Sequence, residues 1–225
     1  SDAPALKIAN TKALGAEVVL YDRGSEDRDR IGAQLAQERG LTLIKPFDEP
    51  EVIAGQGTTG LEIAAQASAV GVESADILVC CGGGGLTSGI ALAVQADAPG
   101  LRVRPVEPEG FDDVARSLRS GGIERNDQVS GSICDAIITP QPGDITFPIM
   151  QRLCGPGLVV SEDEALNAMA QAFLRLKLVA EPGGAVAFAA ALCRQDQLEG
   201  EDVIVTISGG NVDPDIFARS LQTLS

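Results

Sequence analysis

Short apolar runs alternate along the chain with longer segments of helical period. AEVVLY (16–21), TLIK (42–45), ADILVC (75–80), LRVRPV (101–106), GLVV (157–160) and DVIVTI (202–207) read as strands. Their richness in Val and Ile is what strands buried in a parallel sheet show. The clearest helical pattern between them is SEDEALNAMAQAFLRLKLV (161–179). Ser161 and Glu164 have capping-box spacing there, and Leu166, Met169, Phe173 and Leu176 recur on one face. EPGGAVAFAAALCR sets Pro182 in a first helical turn, with alanines behind it that can pack closely. NVDPDIFARSL repeats the device, with Asp213 as cap and Pro214 after it. Strand and helix in alternation predict an α/β fold on a mainly parallel sheet. The segment 120–146 is long and rich in turn formers, which predicts a functional or mobile loop. A weak boundary falls near PFDEPEVIAGQGTTG (46–60), and no internal repeat is visible.

Composition narrows the classes of function. With 225 residues and 44% hydrophobic positions, the chain can build one substantial core or two modest ones. Its 32 acidic against 17 basic side chains give a net charge of −15, a field that repels nucleic acid and anionic membranes. Tryptophan is absent and tyrosine occurs once, so platforms for base stacking are lacking too. No apolar run approaches the length of a membrane span. With no histidine, Ser-His-Asp and Cys-His catalysis and the commonest zinc sites are excluded. The five cysteines, Cys80, Cys81, Cys134, Cys154 and Cys193, include no CxxC pair and point to reduced thiols in a cytoplasm. Cys80 and Cys81 are expected to fill small spaces at the end of a buried strand.

Three stretches carry candidate chemistry. CCGGGGLTSG (80–89) puts four glycines between a strand and a helix, where bare amides and a helix start can hold an anion. The dinucleotide pattern fails because Thr87 and Ser88 stand where its third glycine belongs. The P-loop fails because Ile90 and Ala91, not Lys and Ser/Thr, come after Gly89. A loop for the single phosphate of a small cofactor remains, or a tight turn with no ligand. IVTISGGNVDP (204–214) ends another strand in Ser208 and two glycines, so a ligand could lie across neighbouring strand tips, or Ser208 could merely cap the next segment. EPEGFDDVARS (107–117) sets Glu107 and Asp113 after a strand. Such carboxylates suit Mg²⁺ or Ca²⁺, but from spacing alone an acidic, solvent-exposed helix start is the better account.

Taken in order, PEVIAGQGTTGLEI (50–63), GGGGLTSGIA (82–91), EPEGFDD (107–113), KLVAEPGGAV (177–186) and SGGNVDP (208–214) resemble fold-type II pyridoxal-phosphate enzymes. The nearest group is the serine/threonine dehydratases and serine racemases. The resemblance runs from SDAPALKIANTKALGAEVVLYD to the last helix. It implies a three-layer α/β fold of the tryptophan-synthase-β kind, with residues 1–58 as a partial small domain and 59–225 as an incomplete large, cofactor-binding domain. It implies that Gly82, Gly83, Gly84, Gly85 and Leu86 grip the phosphate of pyridoxal 5'-phosphate. Ser208, with Gly209 after it, then faces the pyridine nitrogen, and Glu181 lies beside the cofactor. A neutral hydroxyl at that nitrogen tempers the electron sink, which suits β-elimination. The resemblance turns the acidic stretch into a divalent-metal site, with Glu107, Asp113 and the Phe111 carbonyl as ligands, and makes GQGT (55–58) a hinge and helix start between the domains.

The activity so implied is loss of water from a β-hydroxy amino acid, giving a 2-oxo acid and ammonia. Threonine, serine and 3-hydroxyaspartate all fit. An amino-acid racemase and a non-catalytic cofactor-binding remnant are the alternatives. The family's Schiff-base lysine lies in an S-x-K-x-R segment that these residues do not contain; the four lysines are Lys7, Lys12, Lys45 and Lys177. The chain thus resembles the carboxyl-terminal two-thirds of such an enzyme, expected to be inactive alone. No regulatory domain is expected after residue 225. Apolar surface left by absent strands predicts a homodimer or higher homo-oligomer. A further departure is Ala136, in CDAI, where relatives usually carry glycine.

Overall fold

The computed structural model describes residues 3–22 and 24–224. Four strands form one sheet: β1 (Ala75–Cys80), β2 (Leu101–Pro108), β3 (Leu158–Val160) and β4 (Val203–Val205), in the order β3-β2-β1-β4 with every pairing parallel. β1 sits at the centre, with Ile77 opposite Val103 on one side and Ile204 on the other, and all six of its residues are buried. Successive side chains of a strand point to opposite faces. Ile77 and Val79, with Val103, accordingly pack beneath α3 (Pro50–Val70) and α4 (Gly85–Asp97). Leu78 and Cys80, with Val106, Leu158 and Val160, pack against α7 (Glu162–Gln171) and α8 (Pro182–Cys193). Helices on both faces make the three layers the sequence predicts.

The amino-terminal edge of the sheet is tied by charge. Asp76, buried on β1, receives Arg102 Nε at 2.7 Å and Arg104 Nη1 at 3.3 Å from β2, and the Glu199 N–H at 3.1 Å. Arg104, itself buried, also donates to the carbonyls of Pro156 and Gln197. A buried carboxylate so surrounded leaves no oxygen unsatisfied, which such burial requires.

Several sequence expectations are corrected. AEVVLY and TLIK form no ladder among the described residues; a strand exists only against a hydrogen-bonding neighbour, and they have none. The helices beside them, α1 (Ala5–Ala13) and α2 (Arg28–Arg39), bury no residue. GQGT is not a helix start: α3 begins at Pro50, and Gly57 lies inside it against the Gly89 carbonyl of α4. The helix from 161 stays α-helical only to Gln171, then widens into a π turn over Ala172–Leu176 and stops at Lys177, whose φ is +62°. The extra residue per turn rotates the apolar face, so Leu166 and Met169 are buried while Phe173 and Leu176 are 38% and 49% exposed. The capping box forms as predicted, with Ser161 Oγ accepting from Glu164 N–H at 3.2 Å and Glu164 Oε2 from Ser161 N–H at 2.8 Å. Asp213 is the N-cap residue of α9 (Pro214–Leu221), but its side chain makes no cap bond; Oδ1 instead accepts the Leu6 N–H at 3.1 Å. No helix among the described residues is long and apolar enough to cross a membrane.

Candidate functional site

Three loops leave the carboxyl ends of adjacent strands β2, β1 and β4. From β1 the chain passes to β2 and β3 on one side, then returns through α7 and α8 to β4 on the other. The order therefore reverses between β1 and β4, where open α/β sheets keep their ligand crevice. Gly82–Gly85 follow β1 after Cys81, and Thr206–Gly209 follow β4.

At the glycine loop, Gly84 has φ +94° and is the N-cap residue of α4. Ser88 is the first residue of this turn whose N–H reaches a protein carbonyl, that of Gly84 at 2.8 Å; the amides from Gly82 to Thr87 donate to none among the described residues. A row of unclaimed donors at a helix start is the chemistry of an anion cradle. The loop's carbonyl side is held from behind: Gly83 O accepts from Thr146 Oγ1 at 2.6 Å and from Gly143 N–H at 3.2 Å. The glycines also have a packing reason. A β-carbon on Gly82 would stand 2.9 Å from the Ile137 carbonyl oxygen, and one on Gly83 would enter the Phe47 ring. Sequence reasoning misses Phe47 and its neighbour Asp48. Asp48 accepts the N–H groups of Asp144, Ile145 and Thr146 and so fixes the start of α6 (Thr146–Leu153), which backs the loop. Their only signal is the aromatic-acidic pair of PFD just before α3, which by itself marks no more than a boundary.

The second wall is the start of α8 with the loop after β4. Glu181 N–H donates to Gly209 O at 3.0 Å and Ser208 N–H to Gly184 O at 3.2 Å. The backbones are so close that a β-carbon on Gly184 would stand 2.5 Å from Gly209 O. The buried Glu181 side chain lies against Gly209, while Ser208 is exposed. Cys80 Sγ, at the tip of β1, donates to Gly184 O at 3.3 Å, joining this wall to the glycine loop's strand. The segment Cys134–Ile138 bridges the two walls, touching Gly82 through Ile137 and Gly183 through Ala136 and Ile137. Thus Gly82, Gly83, Gly84, Gly85 and Leu86 leave the same sheet edge as Ser208 and Gly209, with Glu181 in the second wall against Gly209. One unforeseen cation is also here: Lys7 Nζ stands 2.8 Å from Glu181 Oε2 and 3.1 Å from Asp135 Oδ2.

The acidic residues sit one strand away, and Glu107 is part of β2 itself, which runs to Pro108 rather than ending at Val106. Glu107 is wholly buried and accepts the N–H groups of Val114 and Ala115, at 2.9 and 2.7 Å, at the start of α5 (Asp113–Ser120). Asp113 Oδ1 accepts Asn126 Nδ2 at 2.6 Å, and its buried Oδ2 has no hydrogen-bond partner. Burial, then the charge of Asp113, pushes the Glu107 carboxyl well above the usual carboxylate range, and burial pushes Asp113 up to about 7. The acidic helix start is real, but it is buried rather than solvated. Among the described residues no group of three or more Asp, Glu or Cys side chains is gathered as a metal site would gather them.

Cys81 and Cys134 offer no ready nucleophile at this edge. Burial raises the Cys81 thiol well above its ordinary value and carries Cys134 up to about 12. Cys80 and Cys81 are buried strand-end fillers, as their position predicts. Cys81 and Cys134 do not ionise readily, and at this edge of the sheet stand unclaimed backbone amides, the exposed Ser208 and the buried Glu181.

Comparison with known proteins identifies the family. The family described as "Pyridoxal-phosphate dependent enzyme" matches residues 1–210. An L-threo-3-hydroxyaspartate ammonia-lyase of Saccharomyces cerevisiae is 42% identical over 98% of this chain and 66% of its own length. A serine racemase of Schizosaccharomyces pombe is 39% identical over 98% and 67%. The crystal structure of a threonine deaminase from T.th. superposes with a TM-score of 0.85 at 44% identity, over 92% of this chain and 67% of that one. The chain spans about two thirds of the length of the relatives it matches here. The chain belongs to the pyridoxal-phosphate-dependent enzyme family.

Proposed function

We propose that the chain is the cofactor-binding part of an ammonia-lyase that converts a β-hydroxy amino acid to a 2-oxo acid and ammonia. The observation that carries this is the run of unclaimed amides from Gly82 to Thr87 at the switch point of the sheet. Gly82, Gly83, Gly84, Gly85 and Leu86 hold the phosphate, Ser208 accepts or donates at the ring nitrogen, and Gly209 clears space for Glu181 beside the ring. When bound, pyridoxal phosphate supplies a sink for the electrons left at the α-carbon as its proton departs. The chain's own residues orient that ring and keep its far edge close to neutral. Residues 1–58 belong to a smaller domain, in keeping with α1 and α2 burying nothing.

The substrate class is drawn from relatives named for 3-hydroxyaspartate, serine and threonine. A racemase is the second reading, favoured by the 39% identity to the Schizosaccharomyces pombe serine racemase. Glu107, Asp113 and the Phe111 carbonyl would be the ligands of a Mg²⁺ or Ca²⁺ ion, a reading that rests on the orphaned Asp113 Oδ2 and requires Glu107 to release the N–H groups of Val114 and Ala115. A cytoplasmic location accords with five free cysteines, and a homo-oligomer with the exposed Phe173, Leu174, Leu176 and Leu178.

Lys7 does not supply the imine-forming lysine in this reading. Burial opposes the charge on Lys7, but its ion pairs with Glu181 and Asp135 outweigh it and lift its pKa above the ordinary value. An ammonium so held is a poor imine-forming amine. The test is to titrate the 225-residue polypeptide with pyridoxal phosphate and with pyridoxal, then assay oxo acid, ammonia and inverted amino acid. Phosphate-dependent binding with negligible turnover is expected. Equal binding of pyridoxal would overturn the phosphate loop, and inverted amino acid would select the racemase.

A further inference from the structure

The first turn of α1 lies where three separated pieces of the site converge. Lys7 meets Glu181, which precedes α8, and Asp135, in the 134–138 segment between the walls. One residue earlier, Leu6 N–H donates to Asp213 at the start of α9, just after the β4 loop. α1 has no fully buried residue, and of its apolar side chains Leu6 and Ile8 are half-buried, so these polar contacts carry much of its attachment. Glu181 is buried and Asp135 half-buried, and Lys7 is the cation that meets both among the described residues. In a chain of net charge −15, two carboxylates beside an anion cradle would otherwise repel the ligand the cradle is shaped for.

We propose that Lys7 is a positioning residue of the cofactor site. Its ammonium clamps Glu181 to Asp135, fastens α1 across the two walls, and cancels carboxylate charge beside the slot for an anionic ring. The electrostatic half rests on the cofactor reading above; the clamp itself does not. The polar contacts of Lys7 Nζ fall on Glu181 and Asp135, so it acts through Glu181 rather than on the substrate.

Hydrogen exchange and equilibrium dialysis with pyridoxal phosphate, on the same 225-residue chain, separate the two halves. The variants are Lys7→Met, Lys7→Arg and Lys7→Met/Glu181→Gln; all should fold, because α1 contributes no buried residue. Lys7→Met should speed exchange across 5–13 and 133–138 and weaken pyridoxal phosphate binding by about 10-fold, the scale of a partly buried, charge-assisted pair. Lys7→Arg should restore most of both. The double variant should regain affinity without regaining slow exchange, since it removes a charge but not the gap. Unchanged exchange in Lys7→Met would overturn the clamp. Affinity no better in the double variant than in Lys7→Met would overturn the charge compensation. Should the wild-type chain bind no pyridoxal phosphate, the cofactor reading falls, and the exchange result still decides Lys7.

Discussion

The body around β1 and the stretch from 3 to 46 carry the same kind of apolar run and meet opposite fates. ADILVC has a parallel neighbour on each side and helices on both faces, and Leu78 is 0% exposed. AEVVLY and TLIK are as rich in β-formers, yet Leu20 is 50% and Ile44 65% exposed and neither run joins a ladder. A hydrophobic pattern states that a segment requires cover. Whether cover arrives depends on residues far away in sequence. The site respects the same divide, since every element that shapes it except Phe47, Asp48 and Lys7 comes from the covered body.

The contrast can be tested by paired substitutions. Leu78→Ala should cost about 4 kcal/mol, since it removes a fully buried side chain between two rigid helix layers. Leu20→Ala should stay within about 0.5 kcal/mol. Urea unfolding of both variants measures the gap, and a comparable loss at Leu20 would show that the amino-terminal stretch is covered after all. Next comes Asp76→Asn, expected to cost about 3 kcal/mol by leaving Arg104 buried without its counter-charge. Burial raises the Asp76 pKa, but Arg102, the Glu199 N–H and Arg104 outweigh it and hold the group below its ordinary 3.8. A carboxylate depressed on folding contributes stability above its unfolded value and loses it as pH falls through the folded one. Wild type should therefore weaken faster than Asp76→Asn as pH drops below 3.8. Parallel acid profiles of the two would refute the assignment.

What could be read from the sequence was local or periodic. β1 begins and ends where its apolar run does, the capping box at Ser161 forms, and Pro182 opens α8. The glycine loop was legible because its chemistry is a run of one residue type at a strand–helix junction. What could not be read was set by contacts between distant residues. Phe47 is matched to Gly83 and Lys7 to Glu181, pairs that no spacing rule connects. The π turn at 172–176 was hidden for a different reason: the 3.6-residue period continues in the sequence while the backbone widens beneath it. Asp213 was placed correctly as a cap residue, yet its carboxylate serves Leu6, more than two hundred residues away in a folded contact.

The finest comparison uses one chemistry in both regions. Ser161 caps α7, whose Leu166 and Met169 belong to the core, so unwinding its first turn drags on packed side chains. Ser161→Ala should cost about 1 kcal/mol in global unfolding. Asp27 caps α2 just as completely, accepting the N–H groups of Asp29 and Arg30. But α2 has no fully buried residue, with Ile31 and Leu35 only half-buried, so its fraying is weakly transmitted to the sheet. Asp27→Ala should leave the unfolding midpoint unchanged while speeding amide exchange in 28–39. A midpoint shift matching that of Ser161→Ala would mean that α2 unfolds together with the body, and that the two regions share one cooperative unit despite their difference in burial.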